Sequence, residues 1–240
     1  MRVSARRVGT IVRKELREYR RHGSVVVATA IFPLIFLIQP LFVVFLAKGT
    51  SAATLGQWHL LLYMLAIPVL TPTVLAAHAV AGERQQGSLE PILTTPIPRE
   101  EFLLGKALAA LAPAVAIAYG VYAIFLACVV LFAQPAVATA VLRTPDVVAQ
   151  LLLTPLLAGL SIWIGIAISA RSSDVRVAQQ LSLLASVPVV ILTSLIAFDV
   201  IHPTPGLAAG LTAVLLIADV IGWQIVTALF DRERLITGTR

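Results

Sequence analysis

Six long runs without basic side chains constrain the fold of this 240-residue chain more than any other feature. A helix needs about 20 mostly apolar residues to cross the hydrocarbon core of a membrane. Five of the runs hold no charged residue, and the sixth holds one acid, Asp219. The predicted spans are residues 24–47, 60–81, 107–132, 147–170, 177–198 and 207–230. The sequence therefore predicts an all-α membrane protein, with six transmembrane helices in a single domain that covers residues 1–240.

The composition excludes the main alternatives to this fold. Hydrophobic residues make up 59% of the chain and charged residues 12%, whereas about a quarter of a soluble domain is charged. The single cysteine, Cys128, excludes a disulfide scaffold. A transmembrane β-barrel would show strands of about ten residues with alternating polarity, and these runs are continuously apolar. A polytopic helical protein remains.

The basic residues predict the orientation of the helices. If the N-terminus is inside, all 18 Lys and Arg except Lys48 and Arg143 fall on the cytoplasmic side. This asymmetry follows the positive-inside rule. We therefore expect cytoplasmic termini and a multi-pass protein of a prokaryotic inner membrane. The net charge of +6 indicates contact with anionic lipid headgroups of the bilayer, not with nucleic acid.

Residues 1–23 predict an amphipathic helix that lies in the inner membrane interface. Val8, Leu16 and Tyr19 share one helical face, with Glu15 among them, and most of the basic residues lie on the other side. The alternative is a basic flank that only fixes topology. The apolar run that follows is too long for the h-region of a signal peptide.

Asp219 lies near the middle of the sixth predicted span. A carboxylate at that depth costs roughly 2.5–3.5 kcal/mol, so we expect it to face the bundle interior or water. It could contact a substrate cation or carry a proton. The alternative is a protonated or hydrogen-bonded acid that holds two helices together, with Thr212 or hydroxyls of other spans as partners.

Motifs for nucleotide or metal chemistry are missing from the sequence. Gly105 and Lys106 are followed by Ala107, and Glu100 stands where a phosphate-binding loop needs its first glycine. The four histidines show no metal-ligand spacing. We therefore expect no catalytic residue, no metal site and no cofactor bound by this chain.

The predicted cytoplasmic loop 82–106 carries the densest polar pattern. Ser88 can cap a short helix, and prolines at 96 and 98 end it. Pro98 then suits the start of a second helix that runs into the third span. The apolar face of the first helix is Leu89, Ile92 and Leu93. A short apolar stripe with charged flanks predicts a docking surface.

This loop resembles the signature of the ABC-2 type transporter permeases. The matching pattern reads Glu83-Arg84-x-x-Gly87-Ser88-Leu89-Glu90-x-x-Leu93-x-Thr95-Pro96, followed by Arg99, Glu101 and Gly105-Lys106. The basic N-terminal helix, the six spans and the short inner loop 171–176 agree with that family. Pro91 is unusual at its position, because proline disfavours a helix interior.

The resemblance implies the membrane subunit of an ATP-binding cassette exporter. It implies a separate ATPase subunit that binds ATP and magnesium, and a second permease copy, identical or similar. In that family the loop forms a cytoplasmic coupling helix that sits in a cleft of the ATPase. The residues expected at the ATPase contact are Glu83, Arg84, Gly87, Ser88, Leu89, Glu90, Ile92 and Leu93. A second contact is expected from Arg171, Asp174 and Arg176, with solvated, topology-setting charges as the alternative for the two arginines.

Two other functions stay open at this point: an ion-coupled secondary transporter that uses Asp219, and a non-transporting membrane scaffold of an ATPase complex. The expected substrate is hydrophobic or lipid-like, since aromatic residues, which favour sugars, make up only 7% of the chain. Between spans five and six, either a re-entrant element is built from residues 192–201 or such an element is vestigial. A short interfacial helix is expected within residues 134–146.

Overall fold

The fold comes from a computed structural model that describes residues 4–21, 23–46, 58–87 and 98–229. These residues form helices joined by turns. In chain order the helices are α1 (Ala5–Arg21), α2 (Gly23–Phe45), α3 (Leu60–Tyr63), α4 (Ala66–Gln85), α5 (Arg99–Phe132), α6 (Pro135–Val141), α7 (Thr144–Arg171), α8 (Val175–Ala197) and α9 (Pro205–Leu229). Within the described ranges, six helical segments are long and apolar enough to cross a membrane. The predicted all-α class with six spans is confirmed.

Helix α4 lies at the centre of the bundle. It packs against α2, α5, α7 and α8. In the most apolar stretch of Leu60–Gln85, which spans α3 and α4, 89% of the residues are buried, against 6% for α9, which packs mainly on α7. A helix that is apolar on every side is suited to such a central position. Motion of either end of α4 therefore reaches most of the bundle.

The closest approach between α4 and α7 depends on small residues. A Cβ atom added at Gly165 of α7 would lie 2.6 Å from the Cβ of Ala76 on α4. Small residues at such crossings let helix backbones approach closely in a membrane, where packing replaces the hydrophobic effect as the driving force. The α4–α7 contact is thus specified by Gly165 as well as by the apolar character of the two helices.

We expect Gly165→Ala to destabilise the protein by about 1–3 kcal/mol, because the added methyl overpacks the contact with Ala76. The matched control is Gly120→Ala on α5, where an added Cβ meets no atom within 4 Å. This control should be neutral or slightly stabilising, since alanine favours a helix over glycine. Thermal unfolding of both variants in the same lipid measures the difference. Equal shifts would contradict the role given to Gly165.

The second predicted span is interrupted near its start. Helix α3 ends at Tyr63, and α4 begins at Ala66. Pro68 has no N–H, so the carbonyl of Met64 accepts instead from the backbone N–H of Ile67 at 3.0 Å. The Tyr122 hydroxyl of α5 donates a second hydrogen bond to this oxygen at 3.1 Å. The proline breaks the regular helical hydrogen-bond ladder, and the Met64 carbonyl is shared between a tighter turn and a neighbouring helix.

The described helices on either side of the predicted loop are longer than the predicted spans. Helix α4 continues to Gln85, and α5 begins at Arg99 instead of residue 107. Pro98 precedes α5 in an extended conformation, and Glu100 and Glu101 lie in its first turn, where they favour the positive end of the helix dipole. The second half of loop 82–106 is therefore a rigid extension of the third span.

The opposite end of the bundle contains short connections. Helix α6 lies within residues 134–146, where a short helix is expected. Helix α8 continues to Ala197 and α9 starts at Pro205, so residues 198–204 form a turn and no separate re-entrant helix. Asp199 adopts a φ of 60° in this turn. Of the two alternatives for this segment, the vestigial one fits the structure.

Candidate functional site

A buried lysine joins three helices at the end of the bundle that carries most of the basic residues, here called the basic end. Lys106 Nζ of α5 donates hydrogen bonds to Glu15 Oε1 of α1 at 3.0 Å and to Glu83 Oε1 of α4 at 2.9 Å. The three side chains are 1%, 5% and 4% exposed. Lys106, Glu15 and Glu83 form what we call the buried ion cluster.

Lys14 balances the charge of this cluster. Its half-exposed ammonium lies 2.6 Å from Glu83 Oε1 and 3.2 Å from Glu15 Oε1. Burial alone would lower the pKa of Lys14, but the hydrogen bond to Glu83 and the nearby glutamate charges raise it above its ordinary value. Two carboxylates thus face two ammonium groups, as buried charges require. Carboxylate oxygens of Glu15, Glu18 and Glu83 lie within 4.8 Å of one another, and Lys14 and Lys106 form ion pairs with them.

A second ion pair fixes the start of α1 on the first turn of α5. The Arg7 guanidinium donates to Glu101 Oε1 at 2.7 Å, and the Ser4 backbone N–H donates to the same oxygen at 2.8 Å. The Glu101 carboxylate raises the pKa of Arg7 above its ordinary value. Between the two ion pairs, Gly105 permits a close approach, because an added Cβ would lie 2.7 Å from Ile11. Helix α1 is therefore packed along the first turns of α5.

The end of α4 also holds the turn between α7 and α8. Arg84 donates to the backbone oxygens of Ser172 at 2.6 Å and Ala170 at 3.1 Å. These carbonyls end α7 and have no helical donor. Asp174 caps α8 by accepting from the backbone N–H groups of Arg176 and Val177, and its other oxygen accepts from Gln85 at 3.2 Å.

The predicted contact residues fall into two groups. Glu83, Arg84 and Asp174 have partners within the chain, whereas Arg171 and Arg176 are exposed. Gly87 ends the described part of α4's turn with a φ of 67°, which favours glycine. For all six of these residues, contact with an ATPase stays a prediction. The remaining predicted contact residues, Ser88, Leu89, Glu90, Ile92 and Leu93, lie outside the described residues.

Sequence reasoning missed the pairing partners of this site. Lys106 and Glu101 were visible as parts of the motif, and Glu15 stood out as an acid on the apolar face of α1. A charge on an apolar face is a signal for a buried partner. The sequence did not indicate which partner, because Glu15 and Lys106 are separated by 91 positions.

Asp219 lies on α9 against α7. An added Cβ at Gly159 would lie 2.9 Å from Asp219 Oδ1, so the carboxyl group packs directly against the α7 backbone. Its Oδ1 atom is buried and has no hydrogen-bond partner among the described residues. Thr212 instead donates to the backbone oxygen of Ala208 at 2.7 Å, so the expected Thr212 partnership is not formed. Asp219 packs beside Gly159 at the contact between α7 and α9.

A separate pair of buried ionisable side chains ties the elements at the opposite end. His59 Nδ1 lies 2.8 Å from Asp146 Oδ2, and both side chains are less than 10% exposed. Nearby, His202 Nδ1 lies 2.7 Å from Asp199 Oδ1, and this hydrogen bond lowers the pKa of the Asp199 carboxyl. The first pair holds the start of α3 against the first turn of α7.

The arrangement at the basic end makes one mechanical unit of the elements that flank residues 88–97. Glu83 and Arg84 stand just before this segment, and Glu101 and Lys106 stand just after it. Their partners belong to α1 and to the turn between α7 and α8. A force applied to the segment therefore reaches α1, α4, α5 and that turn together, because packed interfaces shift as rigid bodies.

A known protein family matches this chain. The family described as "ABC-2 family transporter protein" matches residues 9–218, which is most of the chain. The match includes the residues on both sides of the segment 88–97 and ends at residue 218, within α9. A comparison with curated proteins finds no significant match.

Proposed function

The chain belongs to the ABC-2 family of transporter proteins, and we propose that it forms the translocation path for ATP-driven export, coupled to a separate ATPase through loop 82–106. The protein is then a membrane transport subunit. ATP and magnesium bind to the ATPase partner, and a second permease copy completes the assembly. The substrate is hydrophobic or lipid-like.

The observation that carries this proposal is the ion-paired unit around residues 88–97. A docking segment can drive a membrane domain only if it is rigidly joined to the helices that must move. Lys106, on the α5 side of the segment, pairs with Glu83 on the α4 side at 2.9 Å. Arg84 joins the end of α4 to the end of α7. In this account Glu83 and Arg84 position the segment, and Leu89, Ile92 and Leu93 contact the ATPase.

The distribution of basic residues supports a cytoplasmic position for this end. Helix α1, the ends of α4 and α7, and the start of α5 hold most of the basic residues among the described ranges. Positive residues favour the cytoplasmic side of a membrane. We therefore propose that both termini lie in the cytoplasm, below an inner membrane crossed six times.

The vesicle experiment that tests the proposal measures ATP-dependent movement of a fluorescent cationic lipid probe. The chain is reconstituted with its ATPase, without it, and with an ATPase that cannot hydrolyse ATP. The proposal predicts movement only in the first preparation. Full assembly and ATP hydrolysis without movement of any hydrophobic probe would support the scaffold alternative.

Asp219 motivates the other alternative, an ion-coupled carrier, because one of its oxygens lacks a described partner within an apolar helix. We expect Asp219→Asn to leave ATP-driven movement within about twofold of wild type, since asparagine keeps the size of the side chain that packs beside Gly159 and the carboxylate has no role in ATP coupling. Movement driven by a proton gradient without ATP, and lost in Asp219→Asn, would instead establish the carrier.

A further inference from the structure

We propose that a cavity at the basic end binds a primary ammonium group attached to an apolar chain, that is, a cationic amphiphile. The inference rests on the proposed transport function and names the chemical class of its substrate. Its support comes from the shape, charge and unsatisfied hydrogen-bonding capacity of the cavity, which lies between α1, α2, α4 and α8.

The cavity has a volume of about 720 Å³, which suits a ligand of ordinary drug or headgroup size. Glu18 and Tyr19 of α1 and Asp174, at the start of α8, line its polar side, and Val25 and Ala28 of α2 line an apolar side. The buried ion cluster forms its floor through Glu15, Glu83 and Lys106. The site therefore combines charge with an apolar wall.

The charge of the lining favours a cation. Four carboxylates face the cavity, against Lys106, Arg176 and the adjoining Lys14. Lys106 is engaged with Glu15 and Glu83, and Arg176 is exposed on the first turn of α8. Glu18 and Asp174 are the carboxylates that remain partly exposed. An anionic headgroup or a nucleotide would meet this acidic lining with its own negative charge.

Glu18 is held in its charged form. Burial opposes this, but the hydrogen bond from Gln86 at 3.1 Å and the nearby Lys14 ammonium lower the pKa of Glu18. Lys14 is 3.3 Å from the second Glu18 oxygen and 2.6 Å from Glu83 Oε1, so it stays with the buried ion cluster while the partly exposed Glu18 carboxylate can pair with a second cation. Glu18 therefore remains a carboxylate at neutral pH and can pair with an ammonium group.

The Tyr19 hydroxyl provides an independent indication of a ligand. Tyr19 is 9% exposed, and its hydroxyl has no hydrogen-bond partner among the described residues. The carboxylates of Glu15, Glu18 and Glu83 are close enough to act on it electrostatically. A buried polar atom without a partner is costly. An ammonium N–H in the cavity would donate to this oxygen while its charge faces the carboxylates.

An apolar cavity adjoins the polar one. It has a volume of about 570 Å³, lies between α1, α2, α4 and α5, and shares Tyr19 and Val25 with the acidic cavity. Leu34 and Leu75 are among its apolar lining residues. A head bound beside Glu18 can therefore extend its hydrocarbon chain past Tyr19 into this second space. The two cavities together match one amphiphilic molecule.

Binding is tested with the full-length chain in phosphatidylcholine nanodiscs, by calorimetric titration with octylammonium below its micelle concentration. Octyl glucoside, which has the same chain and no charge, is the comparison ligand. We expect octylammonium to bind and Glu18→Gln with Asp174→Asn to weaken it at least about tenfold. Asparagine still caps α8. Glu100→Gln, an exposed acid outside the cavity, is the matched control and should not change binding.

Tyr19→Phe tests the contribution of the hydroxyl to binding while it keeps the aromatic ring that packs in the fold. It should weaken octylammonium about tenfold and leave octyltrimethylammonium, which has no N–H, unchanged. Addition of phosphatidylethanolamine to the nanodiscs identifies where the natural ammonium ligand comes from. Competition with octylammonium indicates a lipid headgroup, and no competition indicates a soluble amine.

Equal binding of octyl glucoside, or octylammonium binding unaffected by the charge variants, would overturn the inference. A charge variant that unfolds is recognised by its thermal transition. In that case Tyr19→Phe, which keeps the aromatic ring, provides the binding comparison that tests the inference. The result is independent of the proposed function, because these titrations contain no ATPase. If the chain assembles with its ATPase and moves other hydrophobic probes but does not bind octylammonium, the cationic-ligand site is contradicted and the proposed transport function is not.

Discussion

Lys106→Met should lower the stability of the protein by about 3–5 kcal/mol, because it leaves Glu15 and Glu83 buried without their shared partner. Both carboxylates accept from Lys106 Nζ and are about 5% exposed. Lys14 reaches them only from the exposed side of the cluster. Methionine keeps a similar volume, so the change removes charge and hydrogen bonds more than packing. The measurement is thermal unfolding in nanodiscs, followed through alkylation of Cys128, which is the only cysteine of the chain.

Two further variants make this result specific. Arg99→Met breaks an ion pair with Glu100 whose two side chains are each 43% exposed, and such surface pairs contribute at most about 1 kcal/mol. In the second variant, Lys106→Met is combined with Glu15→Gln and Glu83→Gln. This should recover much of the lost stability, since no buried charge remains unpaired. If Lys106→Met unfolds no earlier than Arg99→Met, the buried ion cluster does not have the role assigned to it.

Leu89→Asp should abolish co-purification of the ATPase. Leu89, Ile92 and Leu93 are spaced for one helical face, and a carboxylate in the middle of an apolar contact must be desolvated without a partner. Removal of a central contact of this kind costs at least about 2 kcal/mol, or roughly 30-fold in affinity. The bundle itself should keep its thermal stability. The pull-down with tagged ATPase therefore reports docking separately from folding.

The control for this variant is Val200→Asp, which introduces the same charge at a position that is 68% exposed in the turn at the opposite end. It should leave the ATPase bound. Retention of the ATPase by Leu89→Asp, or its loss in both variants, would show that the apolar stripe of loop 82–106 is not the docking surface.

The helices could be predicted from the sequence because their signal is local. Six long apolar runs specify six spans whatever their partners are, and the positions of the runs agree with the helices in the structure. The helix that starts after Pro98 could be predicted as well, because proline suits the first helical position. The sequence did not show how the charges of residues 99–106 are accommodated, because Arg7, Glu15 and Glu83 neutralise Glu101 and Lys106 from distant parts of the chain.

The interruption after Tyr63 illustrates the same limit. Pro68 is visible in the sequence, but other prolines, such as Pro113 and Pro155, lie inside helices that continue through them. At Met64 the carbonyl that Pro68 leaves without its usual donor accepts from the Ile67 N–H and from the Tyr122 hydroxyl of another helix. Such long-range hydrogen bonds are properties of the packed bundle and leave no periodic pattern in the sequence.

The cavity between α1, α2, α4 and α8 was also beyond sequence reasoning. Glu18 is one of several charges on a basic helix, and Asp174 belongs to a short loop; neither position suggests a shared site. Only the packing of α1 against α5 brings Glu18 and Tyr19 opposite the start of α8. The motif-bearing loop, by contrast, was recognisable because its residues are consecutive.

Site-specific cross-linking tests whether the ATPase docks at the basic end through loop 82–106. Cys128→Ala gives a background without cysteine, in which Ser88→Cys or Thr139→Cys carries a photoreactive maleimide. Thr139 lies on α6, at the opposite end. The account predicts a covalent adduct with the ATPase from Ser88→Cys and none from Thr139→Cys. An adduct from Thr139→Cys, or none from Ser88→Cys in an intact complex, would contradict it.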